Sequence, residues 1–260
     1  MEVIILSDKE EAGRFAADAI EALVVAKPEA VLGLATGSSP LPIYDELARR
    51  HAEEGLDFSR TRGFALDEYV GLPAGHPESY WEVLQREFTS RVGIDPSRVS
   101  APNGSAEDIA TACAEYEAQI VAAGGIDLQI LGIGTDGHIG FNEPVSSLAS
   151  RTRIKTLTEQ TRQDNARFFG SLGEVPHHVV TQGLGTIMDA RHLVMIATGA
   201  GKASAVKAAV EGPVAAICPA SVLQFHPHVT FLVDEAAASG LSLGGYYRHT
   251  WNNKPSWQKL

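Results

Sequence analysis

The sequence predicts an α/β fold, a mostly parallel sheet covered by helices on both faces. Apolar runs of strand length alternate with stretches of helical period along most of the chain, and the runs are continuously apolar. Such strands are buried on both sides, the situation of parallel strands between helix layers. No Pro/Gly/Ser-rich linker, internal repeat or low-complexity stretch divides the chain, so one domain over residues 1–260 is expected.

The elements follow in order. Val3 to Leu6 reads as a first strand, and Lys9 to Ala26 as a helix with apolar residues at Ala12, Phe15, Ala16, Ala19, Ile20 and Leu23. Next come a strand Val31 to Ala35, a helix Leu41 to Arg50, a strand Gly63 to Leu66 and a helix Ser79 to Phe88. A helix Glu107 to Ala123 precedes a strand Leu128 to Ile133. A polar excursion runs from about Ser146 to Pro176, where a mobile flap over about 151–177 is expected. The pattern resumes with strand His192 to Thr198, helix Lys202 to Val210 and strand Val229 to Val233.

The composition is that of a globular protein, with 44% apolar residues and a net charge of −11, and excludes a disordered or fibrous chain. An acidic excess without a Lys/Arg run argues against nucleic acid or an anionic membrane as partner. Cys113 and Cys218 are far apart and have no metal-like spacing, so neither a disulfide framework nor a metal site is expected. The start, MEVIILSDKEE, is too short and too acidic for a signal peptide, and no apolar run is long enough to span a membrane. A cytoplasmic location is expected.

In open parallel sheets ligands bind beyond the carboxyl ends of the strands. Three loops there carry chemistry. The first, Thr36-Gly37-Ser38-Ser39-Pro40, joins a strand to a helix whose N-terminus offers unpaired N–H groups to an anion. It is either a phosphate cradle or an ordinary turn capped by Ser38 or Ser39, and it lacks the nucleotide P-loop pattern. The second, Asp67-Glu68-Tyr69, ends a strand in two carboxylates that must point to opposite sides. One can face a pocket as a base; a carboxylate capping the next turn is the alternative.

The third loop, Gly132 to Pro144, contains G-x-G-x-x-G at Gly132, Gly134 and Gly137, with Glu159 about 20 residues on. A dinucleotide site is rejected, because Gly140, Asn142 and Pro144 leave no helix to open on the glycines. What remains is His138 flanked by Asp136 and Glu143, able to orient an imidazole and favour its charged form. A structural histidine is the alternative to a catalytic one.

Together the segments G-L-A-T-G-S-S-P, L-D-E-Y-V-G-L, H-P-E-S-Y, G-x-D-G-H-I-G-F-N-E-P and S-R-T-R-I-K-T-L closely resemble the glucosamine-6-phosphate deaminase family over most of the chain. The resemblance implies an open-sided, modified Rossmann-like domain that converts glucosamine 6-phosphate and water to fructose 6-phosphate and ammonia. It implies a homo-oligomer, commonly a hexamer, and no metal or organic cofactor. Asp67 then matches the base that moves the proton from C2 to C1, and His138 the ring-opening acid–base, with Asp136 and Glu143 its orienting pair. Thr36, Gly37, Ser38, Ser39, Arg167 of the flap and Lys202 match the phosphate contacts.

Ser146, Arg153, Lys155 and Thr156 match residues that bind N-acetylglucosamine 6-phosphate in the allosteric members. The sequence departs from many relatives at Ser38-Ser39, where they have glycine and threonine, and in the tail after Gly240, from which Tyr246 or Tyr247 would have to complete that second site. Two other readings share the fold. A 6-phosphogluconolactonase-like hydrolase is not expected to carry both L-D-E-Y and H-I-G-F-N-E-P, and a sugar-phosphate-sensing regulator would add a DNA-binding segment before the first strand.

Overall fold

The computed structural model describes residues 1–255 and 257–258. In chain order the elements are β1 (Glu2–Leu6), α1 (Lys9–Ala26), β2 (Val31–Leu34), α2 (Leu41–Glu54), β3 (Arg62–Ala65), β4 (Asp67–Tyr69), α3 (Tyr80–Leu84), β5 (Val99–Ser100), α4 (Ile109–Ala122) and β6 (Leu128–Gly132). They continue with β7 (Arg153–Thr156), α5 (Glu159–Asn165), β8 (His178–Thr181), α6 (Leu184–Met188), β9 (His192–Ala197), α7 (Ala203–Glu211), β10 (Val229–Asp234), α8 (Glu235–Ala238) and α9 (Gly244–Asn252).

The main sheet has seven strands in the order β1-β10-β9-β6-β2-β3-β5, every pair parallel. All residues of β2 and β9 are buried, as sequences that are apolar but for His192 require. The sheet is open at both ends, which is the Rossmann-like arrangement and not a barrel.

The expected alternation is present with most boundaries shifted by a residue or two. The helix expected over Leu41 to Arg50 continues to Glu54, where Arg49 pairs with Glu46 and Glu53 one turn away on either side. Gly55, at φ 76°, closes it in the left-handed region that glycine adopts without strain.

Two differences are larger. The helix expected over Ser79 to Phe88 is regular only in α3, which Ser79 caps by accepting the Glu82 N–H at 3.3 Å. From Gln85 to Thr89 it widens into a π turn, with the Ser90 N–H bonded to the Gln85 carbonyl at 3.1 Å. The extra residue per turn sets Phe88 into a stack on Tyr44, ring centroids 4.5 Å apart, with Phe58 edge-on at 5.8 Å.

The other difference is a second sheet, β4-β8-β7, wholly antiparallel. The region expected as a flap, about 151–177, begins with β7, paired to β8, and continues into α5.

The strand order reverses between β6 and β2, from which the chain builds outward in both directions. A crevice forms at such a switch point because the connecting segments leave toward opposite faces. The loops that follow β2 and β6 are the glycine-containing loops singled out in the sequence.

Candidate active site

A cavity of about 390 Å³ opens at this switch point, within the range of small-molecule sites. Thr36, Gly37, Ser38 and Ser39 from the loop after β2, Asp67 from β4, His138 from the loop after β6, Arg167 after α5 and Lys202 before α7 all line it.

Neither serine caps α2. Its N-cap is Pro40, and no side chain bonds the first N–H groups of the helix, which removes the capped-turn reading. Gly37, at φ 91°, makes the turn. Lys202 donates to the Ile133 carbonyl at 2.6 Å, and burial pulls its ammonium below the usual lysine range. A partly desolvated cation and an uncapped helix start thus line the same cavity, a setting with the donors an anion would need.

The two carboxylates after β3 diverge as alternation requires. The chain leaves the main sheet at Leu66, whose N–H bonds the Leu34 carbonyl at 2.8 Å and whose carbonyl accepts from Gln182 N–H at 2.9 Å. Asp67 then turns into the cavity and is buried there. Burial raises its pKa to about 8, with the charge of Glu68 adding and that of His138 opposing. Glu68 points the other way and serves the fold. It accepts the N–H groups of Tyr69, Tyr80 and Trp81 at 2.8, 2.9 and 3.0 Å, holding the start of α3. Burial nonetheless raises its pKa.

The loop after β6 folds tightly around His138. The His138 carbonyl accepts the Gly134 N–H at 2.9 Å, and Asp136 Oδ1 accepts the His138 N–H at 3.1 Å. Gly134 is obligatory, because a Cβ there would lie 2.3 Å from His138 Cε1. The imidazole Nδ1 lies 2.7 Å from Asp136 Oδ1 and 3.5 Å from Glu143 Oε2. Burial alone would lower its pKa, but the two carboxylates outweigh burial and hold it at about 9. The same contact draws Asp136 down to about 2.

Among the described residues Asp136, His138 and Glu143 also bring donor atoms within 4.8 Å of one another. The imidazole Nδ1 faces both carboxylates, the arrangement of an ion-pair cluster. No helix opens on the glycines of this loop, and the next one is α5.

Several cavity residues were not among those expected from the sequence. Tyr69, Tyr80, Phe141 and Phe169 form an aromatic wall, with Tyr80 and Phe141 parallel at 6.0 Å and Phe169 edge-on to Tyr69 at 5.5 Å. Asn165 of α5 donates to the Tyr69 hydroxyl at 2.9 Å. Thr161 of α5 donates to Glu143 Oε1 at 2.7 Å. Phe141 lies inside the histidine loop, where an aromatic amid glycines was the available clue.

Ser146, Arg153, Lys155 and Thr156 lie outside the residues lining this cavity. Arg153 and Lys155 share one face of β7, as an extended segment requires. Arg153 Nη1 donates to Asn142 Oδ1 at 2.9 Å, and burial lowers its pKa. Ser146 is buried and its hydroxyl has no partner among the described residues. The tail is placed elsewhere: Trp251 of α9 packs edge-on to Phe15 at 5.7 Å, and Tyr247 donates to Glu211 at 3.4 Å. These anchors lie on α1 and α7, not on the small sheet.

Fold and site together define an α/β enzyme of the open, Rossmann-like kind, with acids and bases gathered at the carboxyl ends of parallel strands. The chain belongs to the family described as glucosamine-6-phosphate isomerases/6-phosphogluconolactonase, whose model it matches over residues 8–231. It is 72% identical to a glucosamine-6-phosphate deaminase of Pseudarthrobacter chlorophenolicus and 62% identical to one of Streptomyces avermitilis, each over 100% of both chains. A solved structure described as a monomeric glucosamine-6-phosphate deaminase superposes with a TM-score of 0.90 at 42% identity, covering 92% of this chain and 100% of the other. A 6-phosphogluconolactonase from Trypanosoma cruzi shares the fold, with a TM-score of 0.72 at 20% identity over 93% of this chain and 97% of its own.

Proposed function

We propose that the chain converts glucosamine 6-phosphate and water to fructose 6-phosphate and ammonia, an aldose–ketose isomerisation with deamination run by acid–base catalysis without a cofactor. The observation that carries this reading is one cavity that joins an anion site to two proton-transfer groups of opposite task. Asp67 is the base and His138, charged at neutral pH, is the acid.

In this reading Lys202, Arg167 and Thr36 to Ser39 hold the phosphate. His138 donates to the ring oxygen as the sugar opens, and Asp136 and Glu143 keep the imidazole charged and aimed. Asp67 takes the proton from C2 and delivers it to C1, after which C2 loses ammonia to water. An ammonia-release assay on glucosamine 6-phosphate tests the reading. Hydrolysis of 6-phosphogluconolactone without any ammonia release would replace it with the lactonase alternative.

Lys202→Ala and Arg167→Ala should each raise KM for the phosphorylated sugar about tenfold or more while changing kcat little. Loss of a charge-assisted contact costs roughly 1.5–3 kcal/mol, whereas a solvated surface cation contributes at most about 1 kcal/mol. Steady-state kinetics that leave KM unchanged in both variants would return these residues to the surface.

The finer part of the proposal is activation by N-acetylglucosamine 6-phosphate at Ser146, Arg153, Lys155 and Thr156. Arg153 favours it: this half-buried guanidinium is bonded to the neutral Asn142 and the Arg151 carbonyl, a setting that an anion would complete. Assembly into a homo-oligomer, hexameric by the resemblance, belongs to the same proposal, as does a cytoplasmic location. Among the described residues no helix is long and apolar enough to cross a membrane. The assay repeated with the activator, and the mass in solution, decide the first two.

A further inference from the structure

The two carboxylates that face His138 are held in different ways. Asp136 belongs to the histidine's own turn and is partly open to solvent. Glu143 is buried, and its two oxygens are differently engaged. Oε1 accepts the Thr161 hydroxyl at 2.7 Å. Oε2 stands 3.5 Å from His138 Nδ1 and accepts no hydrogen bond among the described residues.

Thr161 is buried and belongs to α5, the helix that contributes to the cavity wall. Its orientation is set from behind. Thr158 Oγ1 accepts the Thr161 N–H at 3.1 Å as the cap of α5 and lies 2.9 Å from Thr161 Oγ1. A hydroxyl has one proton, and that of Thr161 goes to Glu143, so Thr158 is the donor between the two threonines. The result is a directed chain from Thr158 to Thr161 to Glu143, ending beside the imidazole.

A carboxylate oxygen engaged by a donor is fixed in rotation and shares its charge with that donor. We propose that Thr161 is a positioning residue for the histidine, holding Glu143 back from full contact with the ring so that His138 is charged yet still able to release its proton. The proposal rests on the reading of His138 as the acid–base. It also makes the histidine's setting depend on α5 being seated over the cavity. The titratable groups that face the imidazole are Asp136 and Glu143 of its own loop and Asp67 of β4, while Lys202 acts on Asp136.

The test is Thr161→Val, which keeps the shape and removes the donor. Freed from Thr161, Glu143 turns toward Nδ1 and stabilises the imidazolium further. The His138 ring, titrated by NMR without substrate, should then show a pKa raised by about half a unit or more. Turnover at neutral pH should fall about tenfold, with KM within about twofold. Thr161→Ser should restore both, and Thr161→Ala carries the same expectation as valine if valine disturbs α5. In a Glu143→Ala background the valine substitution should change turnover by less than about twofold, because the residue it acts through is gone.

An unmoved His138 titration, a serine variant as impaired as valine, or an undiminished effect without Glu143 would each overturn the proposal. The titration uses no substrate. It therefore stays readable even if glucosamine 6-phosphate proves not to be turned over.

Discussion

Asp67→Asn should lower turnover by about 10²–10⁴-fold while leaving substrate binding within a few fold. That range is the usual contribution of a general base. The amide keeps the shape of the carboxyl and removes only the proton acceptor. Since burial holds the wild-type pKa near 8, kcat/KM of the wild type should rise with pH toward that value as the base ionises. The residual activity of the variant should lack this limb. A variant that keeps more than about a tenth of wild-type turnover would end the assignment.

The same substitution should stabilise the fold at high pH. In the unfolded chain an aspartate releases its proton near its ordinary value, whereas the folded protein retains it up to about pH 8. The wild type therefore loses stability from this group as pH rises through that window, and the loss is complete above it. Asparagine has no charge to bury. The difference in melting temperature between variant and wild type should accordingly grow from acid toward pH 9.

His138→Gln should be as damaging on the closed-ring substrate, about 10²–10⁴-fold, and much less so on substrates trapped in the open-chain form. A ring-opening acid is needed only before the open chain exists. With its pKa at about 9, the histidine is protonated at neutral pH, and wild-type activity on the closed ring should decline above that value as the acid is lost. Comparison of the two substrate types checks the role. Equal losses on both would mean that the histidine acts after ring opening.

How much of this was legible in the sequence depends on the length of the signal. β2, β6, β9 and β10 are mostly apolar runs, broken only by Gln129 in β6, His192 at the start of β9 and Thr230 and Asp234 in β10, and burial on both faces suits their parallel pairing. The divergence of Asp67 and Glu68 was readable too, because alternation along an extended chain leaves no other choice. The small sheet was not. β4 has three residues, and β7 alternates exposed with half-buried positions, so neither gives a periodic pattern long enough to stand out.

The break of the expected Ser79 to Phe88 helix was hidden for a different reason. A π turn changes no residue type; it is driven by where Phe88 must land, a fact of tertiary packing. The acid–base residues announced themselves as charged groups among glycines. Thr161 and Asn165 did not, since a threonine and an asparagine in a polar stretch read as solvated until the chain is folded over the cavity.

The register of β1 against β10, from Glu2↔Thr230 to Leu6↔Asp234, also bears on how the protein is made. β1 leaves the ribosome long before β10, the strand with which it pairs. At ordinary rates of synthesis about 10–50 s separate the emergence of the two. Until then the β1 backbone has no partner in the ladder, and Ile4 and Leu6 depend on α1 for shelter. β1 therefore joins the sheet only after β10 has been made. Pairing so distant in sequence is slow to form even in the complete chain. Until then β1 is an unpaired edge of the kind that other chains can capture.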